Sequence, residues 1–300
     1  MVSLVAVFWA AASVQLDIPP RLQWDDNNGY CGECSIQQIA LYYGAYISQY
    51  RAREIIDPTQ HQDVWVPENS GPVFDALRLN YVVWNSGQAA PQYQGYLVWV
   101  KSQLQQKHPV IMDLFAQNVS DLIDTNNYDH IVPVTGFTSS DTNLYHTGDT
   151  LIFNDNYSST PVLRAFATLD DTRDMNGNGE VFKFCLPREI DYGCAVTGIK
   201  DASGAALPVS LKVNQWNEPN ISRGLAAVPL TATIQASCLT AGTAYVLLRY
   251  NDYHSVPTND YLTSAFDSAT RFVATNSTQT ISDRFRSDST VIYRCVPEHN

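Results

Sequence analysis

The sequence has few basic residues and no long apolar run, and each of these absences excludes a class of protein. The 300 residues include 18 Lys and Arg against 30 Asp and Glu, which gives a formal net charge of −12. Because binding to DNA or RNA draws on clustered positive charge, we expect no nucleic-acid partner. No segment reaches the ~18 to 20 apolar residues that span a bilayer, so we expect a soluble chain with no membrane partner.

Cysteine is also scarce, and six cysteines are too few for a fold held together mainly by disulfides. They divide into two candidate disulfides and one close pair, namely Cys185 with Cys194, Cys238 with Cys295, and Cys31 with Cys34 in YCGECS. The close pair lacks a second C-x-x-C or a closely spaced histidine pair to complete a zinc site, so we expect no metal and no cofactor. A thioredoxin-like redox pair follows a hydrophobic strand, whereas the preceding residues 24–29 are typical of a polar turn.

Apolar residues are plentiful enough to build sizeable cores. The chain is 45% hydrophobic and 16% charged, which excludes a disordered protein. Its length predicts two domains, which we place at residues 16–192 and 193–300. The uncharged stretch at residues 1–15 is typical of a secretory signal peptide, with a buried terminal strand as the alternative.

Secretion has further support in four sequons for N-glycosylation. They begin at Asn118, Asn156, Asn220 and Asn276. We therefore expect a secreted, extracellular glycoprotein in which disulfides can form.

The first long helix is predicted to begin near Cys31. Apolar residues recur at the i, i+3, i+4, i+7 spacing of an amphipathic helix, at Ile36, Ile39, Ala40 and Tyr43, and Gly44 follows as a helix stop. A cysteine at such a helix start can be a nucleophile whose pKa is lowered by the helix dipole. The alternative is an inert buried cysteine.

A thiol nucleophile needs a base and a group that orients the base. His130 opens DHIVPVTGF, whose apolar alternation predicts a buried strand that would hold the imidazole rigidly. Asp155 ends another apolar run, LIFNDNYS, and is the candidate orienting residue, with Asn154 and Asn156 as amide alternatives.

These segments, in this order, resemble the papain-like cysteine peptidases, above all the branch of bacteriocin-processing peptidases. CGECSIQQIALYYG resembles the nucleophile helix, WVKSQLQQKHPVIMD the helix and strand that follow, DHIVPVTGF the histidine strand, and IFND the strand that ends in the third triad member. The resemblance covers roughly residues 22–160. It implies an α+β fold in which the nucleophile helix packs on an antiparallel sheet.

The resemblance also implies a triad of Cys31, His130 and Asp155 that hydrolyses a peptide or protein substrate through a thioester. Gln23 is the implied oxyanion donor, although it lies eight positions before Cys31, and two asparagines at 27 and 28 are alternatives. Glu33 stands where the branch has proline. In papain itself the second cysteine of Cys-Gly-x-Cys is the nucleophile, which makes Cys34 the alternative nucleophile here.

The C-terminal part has a different pattern of short strands separated by Pro, Gly and Asn turns, as in LPVSLKV, VPLTATIQAS and AYVLLRY. It resembles a fibronectin type III-like β-sandwich, with Tyr245 at the place of the tyrosine corner. Between the two parts, DDTRDMNGNGE at residues 170–180 partly matches a calcium loop but lacks the closing glutamate, so we interpret it as a solvated turn.

Other functions remain open beside the hydrolase. A papain-fold relative can transfer acyl groups or lack activity. The chain can also be an extracellular binding protein with a structural disulfide between Cys31 and Cys34, or a thiol oxidoreductase.

Overall fold

The computed structural model describes residues 12–24, 29–59, 69–115, 130–169, 184–186, 188–215 and 217–298. Within these ranges the chain mixes helices with antiparallel sheets. The expected α+β class agrees with this content. The helices and the larger sheet lie in the first two thirds of the chain, and the last third is almost entirely β-structure.

The N-terminal unit contains one large sheet and five helices. Its elements are β1 Ala12–Gln15, α1 Cys31–Tyr42, β2 Ala45–Ile47, α2 Gln49–Ile56, α3 Gly71–Ala76, β3 Leu79–Val83, α4 Tyr93–Gln105, β4 Val110–Leu114, β5 His130–Ser139, β6 Thr150–Phe153, β7 Val162–Ala165, α5 Phe166–Leu169 and β8 Gly193–Ile199. The sheet has the order β3-β8-β4-β5-β6-β7, with β1 also paired to β5. The predicted helix at Cys31 and the predicted strand at His130 are therefore present, as α1 and β5.

The C-terminal unit packs a three-stranded sheet against a four-stranded one. Its strands are β9 Val209–Val213, β10 Pro229–Ser237, β11 Ala244–Tyr250, β12 Ser268–Val273, β13 Thr278–Arg286 and β14 Thr290–Pro297. The sheets have the orders β13-β10-β9 and β12-β11-β14-β2. Alternate residues of β10 face a shared apolar core with β11 and β14, as the strand period of two requires.

The boundary predicted between residues 192 and 193 does not separate the sheets. β8 begins at Gly193 but pairs with β3 and β4 of the N-terminal sheet. In the other direction, β2 adds to β14 of the C-terminal sheet. Pairing between segments distant in sequence decides which sheet β8 and β2 join, and the local sequence pattern does not specify that pairing.

Helix α1 lies at the centre of the molecule. Ile36 and Ile39 share a core with Val246 and Ile292 from the C-terminal sheet, while the other side of the helix packs on β5. Residues 32–41 are all buried, so the amphipathic pattern marks only the more apolar side of a helix covered all round. Its buried polar side chains are hydrogen-bonded, and several of these bonds build the site described below.

Part of the predicted signal peptide belongs to the folded sheet. Residues 12–15 form β1, paired with residues 136–139 of β5, while residues 1–11 lie outside the described part of the chain. Gly136 permits this pairing, because a Cβ there would lie 2.4 Å from the carbonyl oxygen of Val14. For residues 12–15 the structure thus matches the strand alternative. No helix in the described residues has the length and apolar character to cross a membrane.

Neither of the two candidate disulfides, nor one between Cys31 and Cys34, is present among the described residues. Cys185 forms a β-bridge with Phe115, whereas Cys194 sits in β8 opposite Ile111. Cys295 is buried within β14, and Cys238 is exposed. The expected disulfides are therefore absent from the structure, because each partner is held in a different backbone pairing or turn.

Candidate active site

The first turn of α1 lies directly against the beginning of β5. The Ser35 hydroxyl donates to the carbonyl oxygen of Cys31 (2.7 Å) and is 3.0 Å from that of Ile131, the residue after His130. Hydrogen bonds from the backbone of Ile131 and Gly32 reach the Cys31 thiol. The helix start and the histidine strand therefore meet through Ile131, and the Cys31 residue is partly exposed.

Asn156 holds this junction together. Its Nδ2 lies 3.0 Å from the carbonyl oxygen of Cys31, 3.0 Å from the Ser35 hydroxyl and 2.9 Å from the carbonyl oxygen of Ile131. The residue is fully buried and has a left-handed backbone with φ of 64°. Asn156 therefore positions the helix and does not orient the imidazole, and its buried amide is not available to a glycan.

A second layer of amides supports Asn156 from inside α1. Gln38 Nε2 donates to Asn156 Oδ1 (2.6 Å), and Gln38 Oε1 accepts from Asn154 Nδ2 (2.7 Å). Asn154 Nδ2 also donates to the carbonyl oxygen of Ile18. Asn154, the other predicted amide alternative, thus braces the helix as well. Sequence reasoning missed Gln38, although a Gln pair inside an apolar helix is a signal for buried amide bonding.

The orientation of His130 comes from the main chain of Asp155. His130 Nε2 lies 2.6 Å from the Asp155 carbonyl oxygen. A carbonyl can only accept, so Nε2 carries the proton and the basic lone pair of the neutral ring is on Nδ1. The Asp155 carboxylate instead accepts from the backbone N–H groups of Tyr157 and Ser158. The predicted orienting residue is in place, but its carbonyl contacts the histidine while its carboxylate stabilises the turn.

Tyr157 covers the histidine, and sequence reasoning did not single it out. Its ring stacks on the imidazole at a centroid distance of 5.5 Å and an interplanar angle of 25°. The tyrosine is 57% exposed, so it forms an outer wall of the site. Its hydroxyl accepts from Gln23 Nε2 (2.7 Å), which links the histidine cover to the predicted oxyanion donor.

Gln23 lies close to the helix start despite its distance in sequence. A Cβ on Gly29 would be 3.8 Å from Gln23 Nε2, and the Gln23 backbone N–H donates to the Asn156 carbonyl oxygen. One N–H of the Gln23 amide is used by Tyr157, and an amide has a second N–H that can serve an oxyanion. The alternative asparagines at positions 27 and 28 lie outside the described residues.

Glu33 occupies the position at which the peptidases that the chain resembles have proline, and it forms a buried ion pair with Arg53. Arg53 Nε donates to Glu33 Oε1 at 2.6 Å, and the same guanidinium donates to the Gly29 carbonyl oxygen. The Arg53 guanidinium also lies 3.6 Å from the centroid of the Tyr30 ring. Arg53 therefore connects the loop before Cys31 to α1. A proline at position 33 has no carboxylate and could not accept the hydrogen bond from Arg53.

The alternative nucleophile Cys34 is one turn further along α1 and is fully buried. Its thiol lies 3.4 Å from the Arg21 carbonyl oxygen, and Gln38 Nε2 is 3.5 Å from its sulfur. Burial raises the pKa of Cys34 further above its ordinary value than that of Cys31. A substrate carbonyl has no open approach to a sulfur in this setting.

The pKa of Cys31 is raised, whereas the sequence analysis predicted that the helix dipole would lower it. Burial, together with the negative charges of Glu33 and Asp113, raises its pKa to about 12, which outweighs the backbone hydrogen bonds that lower it. The helix start therefore does not by itself make a thiolate, as sequence reasoning assumed. Near neutral pH the sulfur carries its proton, and a base must remove it during reaction.

Alkylation of Cys31 by iodoacetamide is expected to be slow near neutral pH and to rise about tenfold per pH unit through roughly pH 9. At roughly pH 8 a thiol with a pKa of about 12 has on the order of 10³-fold less thiolate than an ordinary cysteine. Mass spectrometry of the Cys31 peptide measures the rate, with the exposed Cys238 as the reference thiol in the same chain. A rate that is already flat above roughly pH 7 would instead indicate a standing Cys31–His130 ion pair.

The geometry brings Cys31, His130, Asp155 and Gln23 to one place, with Asn154 and Asn156 directly behind them. No protein-family model matches the chain, and a search of curated proteins finds no relative. Within the described residues no three His, Cys, Asp or Glu side chains gather as a metal site, and the acidic segment 170–180 lies outside those residues.

Proposed function

We propose that the protein is a papain-like thiol hydrolase that cleaves peptide or amide bonds through a thioester on Cys31. The observation that carries the proposal is the meeting of Cys31, a partly exposed residue at the helix start, with the start of the histidine strand, where the Asp155 carbonyl oxygen holds His130 Nε2 at 2.6 Å. A nucleophile and an oriented base on two rigid elements are the minimum for such chemistry.

In the proposed reaction His130 acts as a general base at Nδ1. It takes the Cys31 proton as the sulfur attacks the substrate carbonyl, because the thiol is protonated beforehand. The first backbone N–H groups of α1 lack helical partners, so that of Cys31, with the Gln23 amide, can bind the oxyanion. The imidazolium then gives its proton to the leaving amine, and water hydrolyses the thioester.

The strongest alternative is a binding protein in which Cys31 and Cys34 form a structural disulfide. Both cysteines are free thiols, and the Cys34 thiol is engaged with the Arg21 carbonyl oxygen. This state favours the hydrolase. An acyl transferase would share the thioester and differ only in the acceptor that resolves it.

We also propose that the C-terminal unit is a fibronectin type III-like sandwich that braces the catalytic one in a secreted protein. The Tyr245 hydroxyl accepts from the Thr240 N–H (2.9 Å), a bond to the backbone a few residues upstream as in a tyrosine corner, although Tyr245 lies at the start of the third strand of the unit and not the sixth. Arg21, two residues before Gln23, forms a buried ion pair with Glu218, and Tyr46 donates to the same carboxylate at 2.6 Å. These bonds tie the segment that carries Gln23 to the C-terminal unit.

Trapping the acyl-enzyme tests the proposal. Brief reaction with p-nitrophenyl acetate followed by an acid quench is expected to leave one acetyl group on the Cys31 peptide, together with a burst of nitrophenol. Acetylation on Cys34, or none on either cysteine while hydrolysis proceeds, would contradict it. Iodoacetamide added to the denatured protein without reductant distinguishes the disulfide alternative, which predicts no labelling at Cys31 or Cys34, whereas two free thiols are both labelled once unfolding exposes them.

A further inference from the structure

A second cleft, distinct from the candidate active site, lies at the seam between the two units. Its volume is about 420 Å³, within the range of small-molecule sites. The end of α1, the turn after α4, the end of β8 and strands β9 and β14 line it. The catalytic residues Cys31 and His130 are not among its lining residues.

The charge of this cleft is opposite to that of the protein as a whole. Lys107, His108 and Arg294 line it, and no aspartate or glutamate does, although the chain carries a net charge of −12. Burial lowers the pKa of His108, so near neutral pH the positive charge comes from Lys107 and Arg294. A basic recess on an acidic protein favours an anion and repels a cation.

Arg294 is a buried cation with no carboxylate at ion-pair distance in the described residues, although the charge of Asp201 and the hydroxyl of Tyr261 act on it. Its residue is 1% exposed. The guanidinium donates to the carbonyl oxygens of Tyr293 (2.8 Å) and Leu77 (3.3 Å), while its Nε is left without an acceptor. Burial lowers the pKa of Arg294 because it disfavours the charged form, and an anion in the cleft would stabilise that charge.

The remaining lining is largely apolar. The rings of Tyr42 and Tyr43 contact each other at a centroid distance of 5.0 Å, and Leu207 and Val209 also line the cleft. Tyr43 donates its hydroxyl to the carbonyl oxygen of Val196 (2.7 Å), which fixes its position in the wall. Apolar walls with a few convergent cationic groups suit a ligand with an apolar body and one anionic end.

We propose that this cleft binds a small amphipathic carboxylate, with its charged end bound by the exposed Lys107 and attracted by the buried charge of Arg294, and its apolar body against the two tyrosines. The proposal does not depend on the hydrolase, because it concerns binding at a separate place in the molecule.

Isothermal titration of the full chain with sodium octanoate at low ionic strength tests this site. Octanoate is expected to bind at one site, octanol at least about tenfold more weakly, and octylammonium not measurably. Arg294→Gln is expected to abolish binding in protein whose circular dichroism is unchanged. Lys107→Asn, which also tolerates the positive φ of 67° at this position, is expected to weaken binding at least about fivefold.

A matched control removes a positive charge elsewhere. Lys212 pairs with Asp17 outside the cleft, so Lys212→Gln should leave octanoate binding unchanged. Ser210→Trp fills the cleft with an indole and should eliminate binding. Equal affinity for octanol, unchanged affinity in Lys107→Asn, binding that survives Ser210→Trp, or no octanoate binding at all would each overturn the proposal.

Discussion

Cys31→Ala is expected to reduce hydrolysis of p-nitrophenyl acetate by about 10³-fold or more while the protein stays folded. The loss is large because a nucleophile acts together with its base, and removing it disables the whole covalent route. The fold should survive because Cys31 is only partly buried and the Asn156 bond reaches its backbone carbonyl, which alanine retains. Steady-state rates and circular dichroism of the two proteins measure these effects.

Cys34→Ala is the matched control for this experiment. It removes a thiol from the same helix, but that thiol is fully buried and held by the Arg21 carbonyl oxygen. We expect its activity to stay within a few-fold of the parent protein, with a modest loss of stability from the small cavity. If Cys34→Ala were inactive and Cys31→Ala active, the nucleophile would be assigned to the wrong cysteine.

Asn156→Ala is expected to lower the free energy of unfolding by about 3 kcal/mol, the largest stability effect that we predict at the site. Its two N–H groups are shared among three acceptors on two elements, so about two buried hydrogen bonds are lost, at about 1 kcal/mol each. Alanine at a φ of 64° adds backbone strain of about 1 kcal/mol. Urea unfolding followed by circular dichroism measures the change.

Asn156→Gly separates these two contributions. Glycine removes the amide but adopts the left-handed backbone without strain, so it should recover about 1 kcal/mol relative to alanine. The two variants would be equally stable if the backbone conformation were unimportant. A loss below about 1 kcal/mol in both would show that the amide does not hold α1 on β5.

Asn156 also shows how one residue can suggest two functions from sequence and have neither in the structure. Its sequon suggested an exposed glycosylation site, and its place after Asp155 suggested an orienting amide. In the structure the Asn156 side chain is fully buried, and its carboxamide donates to the backbone of the helix that carries Cys31. Among the other sequons, Asn276 is exposed and Asn220 accepts from Ser222 at a short helix, while Asn118 lies outside the described residues.

Local sequence pattern was sufficient for the elements that carry the site. Helical spacing and a following Gly44 located α1, and apolar alternation located the strand that begins at His130. These signals are local because helix and strand periods are properties of consecutive residues. The order of the segments along the chain then led to the expectation that Cys31 and His130 would meet.

Local sequence patterns did not predict the hydrogen bonds that arrange the side chains of the site. Sequence reasoning assigned the orientation of His130 to the Asp155 carboxylate, but the backbone of a turn presents its carbonyl instead. Tyr157 and Gln38 were missed because their contacts join residues more than a hundred positions apart. A hydrogen bond of this kind depends on which elements pack together, and no local period records it.

By itself, then, the sequence determined the acidic net charge, the class of secondary structure and the candidate nucleophile and base, since these follow from composition and short-range periodicity. Only the tertiary structure decided that β8 and β2 cross the predicted boundary and that the expected disulfides do not form. It likewise decided that burial keeps Cys31 protonated. Burial, strand pairing and the electrostatic surroundings of a thiol arise from groups distant in sequence, and they exist only once the chain has packed.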